Sequence, residues 1–588
     1  MDKSSIPTSF DDHVHWYGTL VNSISQTDLL YTYNTVINGF LVRLTTEEAE
    51  LLEQQPEVLF VREDSIYQVQ TARSPDFLGV PNMEASLPEF STSTDVIIGV
   101  LDTGVWPEIP SFNDEELGPI PSGWNGLPQG IMLATSTTVA GSTVIGASLF
   151  GFAAGTARGM ARHARLASYK VCWLEKACTD SDILASMEKA IEDGVHIISV
   201  SLVGITSDYF INAIALGALS NIAPWITTVG AITIDCQFPA YVSLGNEKVL
   251  IGTSLYAGKQ LTPILVPLVY AGNVSRTSTG NLCLRGSLNS KKVSGKIVLC
   301  DTGMTSGSEK GLVVKDAGGI GMILVNTFGE DLIAEAHFIP TAVVVQPSPV
   351  IAGFSSRGPN PITPDILKPD LIAPEVNILA GWTGKIGPTP LTEDIILKIG
   401  PTPLTEDCRM DRKNVIPIDE KLKSPRDYEG HVTHTSTTEP TVEPCTYKIS
   451  TNDNRYRNGE RIQDLATGMP LTPFDYGAGH MDPISALDPG LIYDATIDNY
   501  MDFLCAINYS SSMIKMIGKQ DYSCQVGKEY SVEDLNYPSF AVPLQTASKS
   551  LTVTFTASYM PSGTTSFAHL EWTDGQHVVG SPIAFTWA

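Results

Sequence analysis

The chain has 588 residues, a formal net charge of -27 at pH 7, and a composition of 43% hydrophobic and 17% charged residues. This length predicts several domains and a large buried core. The negative charge argues against nucleic acids and anionic membranes as partners, because both need a basic surface. No apolar run reaches the roughly 20 residues of a membrane-spanning helix, and the N-terminus lacks the apolar segment of a signal peptide.

The cysteine pattern excludes several kinds of site. Nine cysteines are too few for a disulfide scaffold of this length, and no two of them are spaced as CxxC. A zinc site is therefore not expected, and the sequence implies no metal and no cofactor. The triplets that begin at Asn273 and Asn508 match the N-glycosylation acceptor pattern, which is a feature of secreted proteins.

Residues 1–72 have the pattern of a small α+β unit. Residues 31–41 alternate enough to predict a strand, and residues 45–48 (TTEE) predict a helix start with a hydroxyl cap and an acidic first turn. Residues 58–61 (VLFV) predict a further strand, and residues 71–75 (TARSP) an exposed linker.

An apolar strand that ends in an aspartate is the most informative local feature. Residues 96–101 (VIIGVL) are continuously apolar, which is typical of a strand buried on both faces of a parallel sheet. Asp102 follows directly, and ligands and catalytic groups collect at the carboxyl ends of such strands. A simple turn is the alternative, because Gly104 comes two residues later.

Residues 90–235 follow an α/β order. The predicted elements after Asp102 are a closely packed helix within 139–161, a strand at 166–173, a helix from Ser181 to Gly194 and a strand at 195–202. The helix prediction at Ser181 rests on one apolar face and on the glycine stop. A strand, a helix and another strand in this order imply a parallel sheet.

The second half of the chain is less regular. Residues 236–350 are rich in Val, Gly and Thr and predict a β-rich insert, and residues 531–588 alternate as in a small β-sandwich. The ten residues 385–394 recur without change at 398–407, a spacing that no repeat architecture uses. Because residues 382–465 show no sustained apolar period, we expect them to be aberrant and poorly ordered.

Two hypotheses account for Asp102. In an aspartic protease, two D-T-G loops pair their carboxylates, and a second copy exists at 301–303. Such enzymes are nearly all-β, whereas a strand–helix–strand unit separates the two copies here, so Asp301 is better explained as part of a surface turn. The other hypothesis makes Asp102 the acid of a Ser-His-Asp triad in which the aspartate comes first in the chain.

Several segments together resemble the plant subtilases, a family of subtilisin-like serine endopeptidases. They are residues 96–107 (VIIGVLDTGVWP), 220–231 (SNIAPWITTVGA), 354–370 (FSSRGPNPITPDILKPD), 473–482 (PFDYGAGHMD) and 535–539 (LNYPS). The resemblance covers nearly the whole chain except residues 382–450. It supports the triad hypothesis for Asp102.

The resemblance implies an α/β fold class, with a subtilisin-like parallel-sheet catalytic domain. The implied parts are an α+β inhibitor-type propeptide at 1–72 (truncated at its N-terminus), the catalytic domain at 76–240 and 350–500, a β-rich protease-associated insert at 241–350 and a fibronectin-III-like β-sandwich at 531–588. By the same resemblance Asp102 is the triad aspartate. The strand beside which a peptide substrate would lie is formed by Ser201, Leu202, Val203 and Gly204.

Three departures from the family pattern bear on activity. Counting back from the recognisable segment 136–142, Ile131 stands at the position of the catalytic histidine, and isoleucine cannot accept a proton. The loop with the oxyanion-hole asparagine is deleted before Ser220, and the serine nucleophile motif expected between 385 and 450 is absent. Residues 252–254 (GTS) resemble that motif, but they stand where the family has a different segment.

One fragment resembles the missing histidine segment but lies about 300 positions too late, at 424–438. His431 within it is a remote candidate for the catalytic base, which would need hydrogen-bond reach to Asp102. Two solvated histidines in a loop, His431 and His434, are the simpler explanation.

The sequence therefore predicts a subtilisin-like serine endopeptidase by family that is inactive in this form. The alternatives are a non-catalytic peptide-binding pseudoprotease, a faulty gene model of an active subtilase and, more remotely, an aspartic protease. The expected partners are a peptide or protein in the groove and the chain's own propeptide. The relatives imply an extracellular location, in the apoplast or cell wall, although this chain shows no export signal.

Overall fold

The structure is a computed structural model. The residues that it describes are 13–25, 27–33, 38–58, 61, 66–69, 95–105, 109–112, 117, 119–126, 139–149, 152–161, 163–173, 177–203, 208–209, 222–233, 238–246, 249–256, 258, 261, 265–325, 337–344, 350–352, 355–376, 463–464, 471–481, 495–544, 548–550, 554–556, 560–573 and 578–587.

The N-terminal unit combines two helices with three short strands. They are α1 (His13–Asn22), β1 (Leu29–Tyr33), β2 (Gly39–Val42), α2 (Thr46–Glu53) and β3 (Ile66–Val69). The predicted helix start is confirmed, because Thr45 and Glu48 form a capping box with reciprocal hydrogen bonds. The single strand predicted over 31–41 is wrong, since β1 and β2 pair antiparallel and the chain reverses between them. The strand predicted at 58–61 falls partly outside the described residues.

The strand that carries Asp102 lies inside a parallel sheet. The next elements are β4 (Ile97–Asp102), β5 (Val144–Leu149), β6 (Phe152–Ala157) and β7 (Arg165–Lys170). Every residue of β4 is buried, as predicted from its apolar run. The helix predicted within 139–161 is wrong: β5 and β6 pair antiparallel as a hairpin. Gly146, in β5, has φ 76, a left-handed conformation that an α-helix cannot contain.

The predicted strand–helix–strand order is confirmed. The following elements are β8 (Cys172–Trp173), β9 (Ala177–Thr179), α3 (Asp180–Asp193), β10 (Ile197–Val200), β11 (Leu202–Val203) and β12 (Val229–Thr233). Thr179, two residues before the predicted start, caps α3, and Gly194 ends it with φ 84. β10 and β7 flank β4, and both run parallel to it.

The insert has its own six-stranded sheet. Its elements are β13 (Pro239–Ser243), β14 (Val249–Thr253), β15 (Leu268–Tyr270), α4 (Ser290–Val293), β16 (Ile297–Asp301), α5 (Gly307–Asp316), β17 (Gly321–Val325) and β18 (Thr341–Val344). The strand order is β13-β14-β18-β17-β16-β15, with β15 to β18 parallel. Its core contains the disulfide between Cys283 and Cys300.

After the insert the chain returns to the sheet of β12. The elements are β19 (Val350–Ile351), β20 (Leu371–Val376), β21 (Gln463–Asp464), α6 (Pro473–Tyr476), α7 (Ile497–Ala506) and α8 (Ser511–Gly518). β12 lies between β20, which is parallel to it, and β19. The duplicated segments at 385–394 and 398–407 lie outside the described residues, so the expectation of poor order is not tested.

The C-terminal part is built of strands, as predicted. They are β22 (Phe540–Leu544), β23 (Ser548–Ser550), β24 (Thr554–Thr556), β25 (Thr565–Thr573) and β26 (Val578–Trp587). β26 is the middle strand of three, and β23 and β24 form a hairpin. Short 3-10 turns occur at Pro110–Phe112, Ala271–Val274, Gly280–Leu282 and Val532–Asp534. None of the described helices has the length and apolar character needed to cross a bilayer.

Candidate functional site

Asp102 is completely buried at the carboxyl end of β4. Its Oδ1 accepts a 2.7 Å hydrogen bond from the Thr103 N–H, and its carbonyl accepts one of 2.6 Å from the N–H of Val171. Gly104 then turns the chain with φ 94. The carboxylate is thus held in one orientation at the sheet edge where parallel sheets place their ligands.

A four-stranded sheet beside this edge contains a strand from the N-terminal unit. Its order is β11-β3-β9-β8, so β3 lies between two strands from the region of Asp102. β3 pairs antiparallel with β11, where Val69 is opposite Leu202 and Gln68 opposite Val203. On its other side β3 pairs antiparallel with β9. An extended segment therefore fills a groove whose two walls are β9 and β11.

The N-terminal unit also contacts the first turn of α3. The Tyr31 hydroxyl donates a 3.0 Å hydrogen bond to Oδ1 of Asp182, and the Tyr33 hydroxyl donates one of 3.3 Å to the carbonyl of Ser181. Tyr33 is buried in one hydrophobic cluster with Leu101 and other residues of the α/β region. The N-terminal unit and the α/β region therefore share a hydrophobic core. This shared core helps to keep β3 in the groove.

Tyr17, a buried tyrosine on α1, lies near the carboxylate of Glu188 on α3. Tyr17 is 1% exposed, and burial, with the nearby carboxylate of Glu188 on α3, raises its pKa to about 12. The phenol therefore stays neutral at physiological pH.

The remaining predicted catalytic positions are not brought to Asp102 by any described contact. Ile131, the segment between 385 and 450, and His431 all lie outside the described residues. Of the predicted substrate strand, Ser201, Leu202 and Val203 are described and Gly204 is not. The structure thus describes the expected triad aspartate, and of the expected groove strand it places Leu202 and Val203 in β11, with Ser201 directly before it.

The second D-T-G copy has a different environment from the one predicted. Asp301 is buried at the end of β16, so the expectation of a surface turn is wrong. One of its carboxylate oxygens accepts hydrogen bonds from the Tyr270 hydroxyl at 2.7 Å and the Asn281 amide at 2.9 Å. Asp301 belongs to the sheet of the insert and Asp102 to that of β4, so the two do not form a carboxylate pair along one sheet edge.

The motif that resembles a nucleophile lies in the insert. Gly252 and Thr253 are the last residues of β14, and the Ser254 side chain accepts a hydrogen bond from the N–H of Tyr256. Both candidate glycosylation residues, Asn273 and Asn508, are exposed. The described part of the chain contains no cluster of three or more His, Cys, Asp or Glu side chains suited to a metal ion.

Sequence reasoning missed the second wall and the strand between the walls. β3 and β9 have four and three residues, too short for periodicity to identify. The available signal was the pair Cys172 and Cys178, which form a disulfide across β8 and β9. A short spacing between two cysteines is compatible with a hairpin, but it does not predict one.

The geometry defines a class: a parallel α/β sheet with a rigid carboxylate at its edge and a neighbouring groove closed by an N-terminal α+β unit. A model of the peptidase inhibitor I9 family matches residues 1–70, and a PA domain model matches residues 264–348.

Curated relatives match over almost the whole chain. The chain is 42% identical to the subtilisin-like protease SBT1.7 of Arabidopsis thaliana, with 100% of this chain and 95% of that protein covered. It is 37% identical to SBT1.6 of the same plant, with 94% and 84% covered. It is 35% identical to SBT1.4, with 100% and 94% covered. The chain belongs to the subtilisin-like protease family, which confirms the predicted resemblance and α/β fold class.

Proposed function

We propose that this chain is a catalytically inactive member of the family that binds an extended peptide between β9 and β11. The observation that carries the proposal is the strand Ile66–Val69, which pairs with a wall on each side. Main-chain hydrogen bonds of this kind give affinity for an extended peptide and need no catalytic residues. A peptide of similar extended shape would occupy the same positions once the internal strand has left.

Inactivity follows from the residues that the sequence lacks. Asp102 is the triad acid by resemblance, but its role is to orient a histidine, and Ile131 stands where that histidine is expected. In a related triad, loss of the serine or histidine lowers turnover by about 10^6, and loss of an oxyanion donor lowers it by about 10^2 to 10^3. These effects are not additive, but loss of the histidine and the serine together with the oxyanion donor leaves only a small residual rate of hydrolysis.

A serine-reactive fluorophosphonate probe tests inactivity directly. The purified chain should remain unlabelled under conditions in which an intact relative is labelled within minutes. An Asp102→Asn variant serves as a control and should behave like the parent chain. Labelling that disappears when one serine is replaced would refute inactivity, whatever the outcome for peptide binding.

Peptide binding needs a groove from which β3 can leave. A recognition sequence for a site-specific protease, inserted between residues 72 and 76, allows the N-terminal unit to be cut from the rest and competed away. Fluorescence anisotropy with a labelled peptide containing Ile-Tyr-Gln-Val, the sequence of β3, then gives the dissociation constant. Val203→Pro removes a backbone donor from one wall, whereas Val203→Ala keeps it. Binding should weaken at least tenfold in the proline variant alone. Absence of binding at high peptide concentration would exclude the proposal.

A second candidate function is an active endopeptidase encoded by an intact form of the gene. The exact repeat of ten residues and the displaced fragment at 424–438 favour it. So does the alignment with SBT1.7, which extends over 737 positions against 588 residues, because that relative has segments that this chain lacks. Sequencing the transcript decides between the two. A transcript with the histidine and serine motifs in place supports the active enzyme, and one identical to this chain supports loss of activity.

We also propose that the protein is extracellular. Three disulfides link described cysteines, namely Cys172–Cys178, Cys283–Cys300 and Cys505–Cys524. Disulfides persist in oxidising compartments and are rare in the cytosol. Expression of the complete transcript in plant cells, with a fluorescent tag at the C-terminus, should place the protein in the wall space. Removal of N-linked glycans should lower its apparent mass, unless Asn273→Gln and Asn508→Gln are both introduced.

A further inference from the structure

The second wall of the groove is a very small hairpin. β8 and β9 are joined by two register pairs, Cys172 opposite Cys178 and Trp173 opposite Ala177. The first pair is also a disulfide with a sequence separation of six residues. Both of its cysteines are buried, 1% and 0% exposed, in the same cluster as Leu101 and Leu202.

The wall depends on the strand that fills the groove. In the four-stranded sheet β9 has two neighbours, β3 and β8. When β3 is in place, β9 is held from both sides, since Tyr67 is opposite Cys178 and Ile66 opposite Thr179. When β3 leaves, the pairing of β9 with other described strands is reduced to its two pairs with β8. A two-stranded hairpin is marginally stable by itself, and one with two pairs more so.

The disulfide connects this wall to the parallel sheet that carries Asp102. Cys172 directly follows Val171, whose N–H donates to the carbonyl of Asp102. β7, which ends one residue earlier, pairs with β4 along its whole length. Cys178 precedes Thr179, the cap of α3. The covalent bond therefore joins β9 to the parallel sheet independently of any strand in the groove.

We propose that the Cys172–Cys178 disulfide is a positioning element: it keeps the second wall of the groove in place when the groove is empty. This inference rests on the proposed peptide binding. A preformed wall lets an incoming peptide pair on both sides without ordering β9 first, which lowers the cost of binding. The two cysteines are thus positioning residues for the ligand. They do not react with it.

The test compares two equally buried disulfides. Cys172→Val/Cys178→Val removes the bond at the groove and keeps apolar side chains. Cys283→Val/Cys300→Val does the same in the insert, where both cysteines are 0% exposed. Cys172→Ala/Cys178→Ala is the second groove variant, for the case in which valine is too large. By closing a short loop, the disulfide should lower the population of the open hairpin by a factor of roughly 10 to 100.

Two measurements separate this inference from the proposed function. In the uncut chain, hydrogen exchange of the amides of Ile66–Val69 and Ala177–Thr179 should become about tenfold faster in the groove variants and stay unchanged in the insert variant. In the cut chain, the labelled Ile-Tyr-Gln-Val peptide should bind about tenfold more weakly to the groove variants alone. If the cut parent chain binds no peptide, the proposed function fails while the exchange experiment still tests the role of the disulfide. Unchanged exchange at these amides, the same change in the insert variant, or global unfolding of both groove variants would overturn the inference.

Discussion

The buried ion pair between Lys368 and Asp370, directly before β20, should be highly sensitive to substitution. The two side chains are 3% and 2% exposed, and their charged atoms lie 2.7 Å apart. The Lys368 ammonium also donates to the carbonyl of Ile226 at 2.7 Å. The carboxylate of Asp370 accepts from the Thr228 N–H at 2.7 Å and from the hydroxyl of Tyr537. Burial lowers the pKa of Lys368, and the charge of Asp370 opposes that shift.

Replacement of one partner leaves the other charge buried. Lys368→Met should destabilise this region by about 3 to 5 kcal/mol, because removal of half of a buried pair exposes the full desolvation cost of the remaining charge. Lys368→Met/Asp370→Asn removes both charges and keeps an amide oxygen for the Thr228 N–H. The double variant should therefore be less destabilised than Lys368→Met, by at least about 1 kcal/mol.

An exposed pair provides the matched control. Lys528 and Asp502 lie 2.8 Å apart, but their side chains are 43% and 34% exposed. Lys528→Met should destabilise the protein much less than Lys368→Met, because solvent screens such pairs.

Local hydrogen exchange is the appropriate assay, since a chain of several domains need not unfold in one step. Residues 228–230 follow the anchored segment into β12, so the opening free energy of the amides of Val229–Thr233 reports the loss directly. The reasoning is refuted if Lys368→Met and Lys528→Met change these amides equally. It is also refuted if the double variant is destabilised by more than Lys368→Met alone.

Three further predictions test other parts of the molecule. Burial lowers the pKa of His337 from 6.5 to about 4. Between these pH values the unfolded chain binds the proton and the folded chain does not. The free energy of unfolding, at its full value above pH 6.5, should therefore fall by about 3 kcal/mol as the pH drops to 4. Hydrogen exchange of the amides of β18 should show a loss of protection towards pH 4 that is smaller in His337→Gln. Tyr31→Phe loses the hydrogen bond to Asp182 and should weaken retention of the cut N-terminal unit by about 1 kcal/mol, measured by its dissociation constant; no change would contradict the contact. Gly194→Ala should cost roughly 1 to 2 kcal/mol in thermal unfolding, because φ is 84 and an added Cβ would lie 2.6 Å from the carbonyl oxygen of Gly123. A neutral result would refute the steric argument.

The sequence by itself determined the features that depend on neighbouring residues. The apolar run before Asp102 specified a fully buried parallel strand, and the glycine after it specified the turn. The capping residues fixed the start of α2 and the end of α3 to within two residues, because caps and glycine stops act within one helical turn.

Tertiary structure decided the features that depend on distant pairing. β1 pairs with β2, and β5 and β6 form where a helix was predicted, because each strand has a partner strand that local propensity does not encode. Asp301 is buried because Tyr270 and Asn281 reach it from other segments of the insert. β3 occupies the groove because it meets β9 and β11, which lie more than 100 positions further along the chain. Such contacts are selected by the packing of the whole fold, and no local pattern in residues 66–69 specifies them.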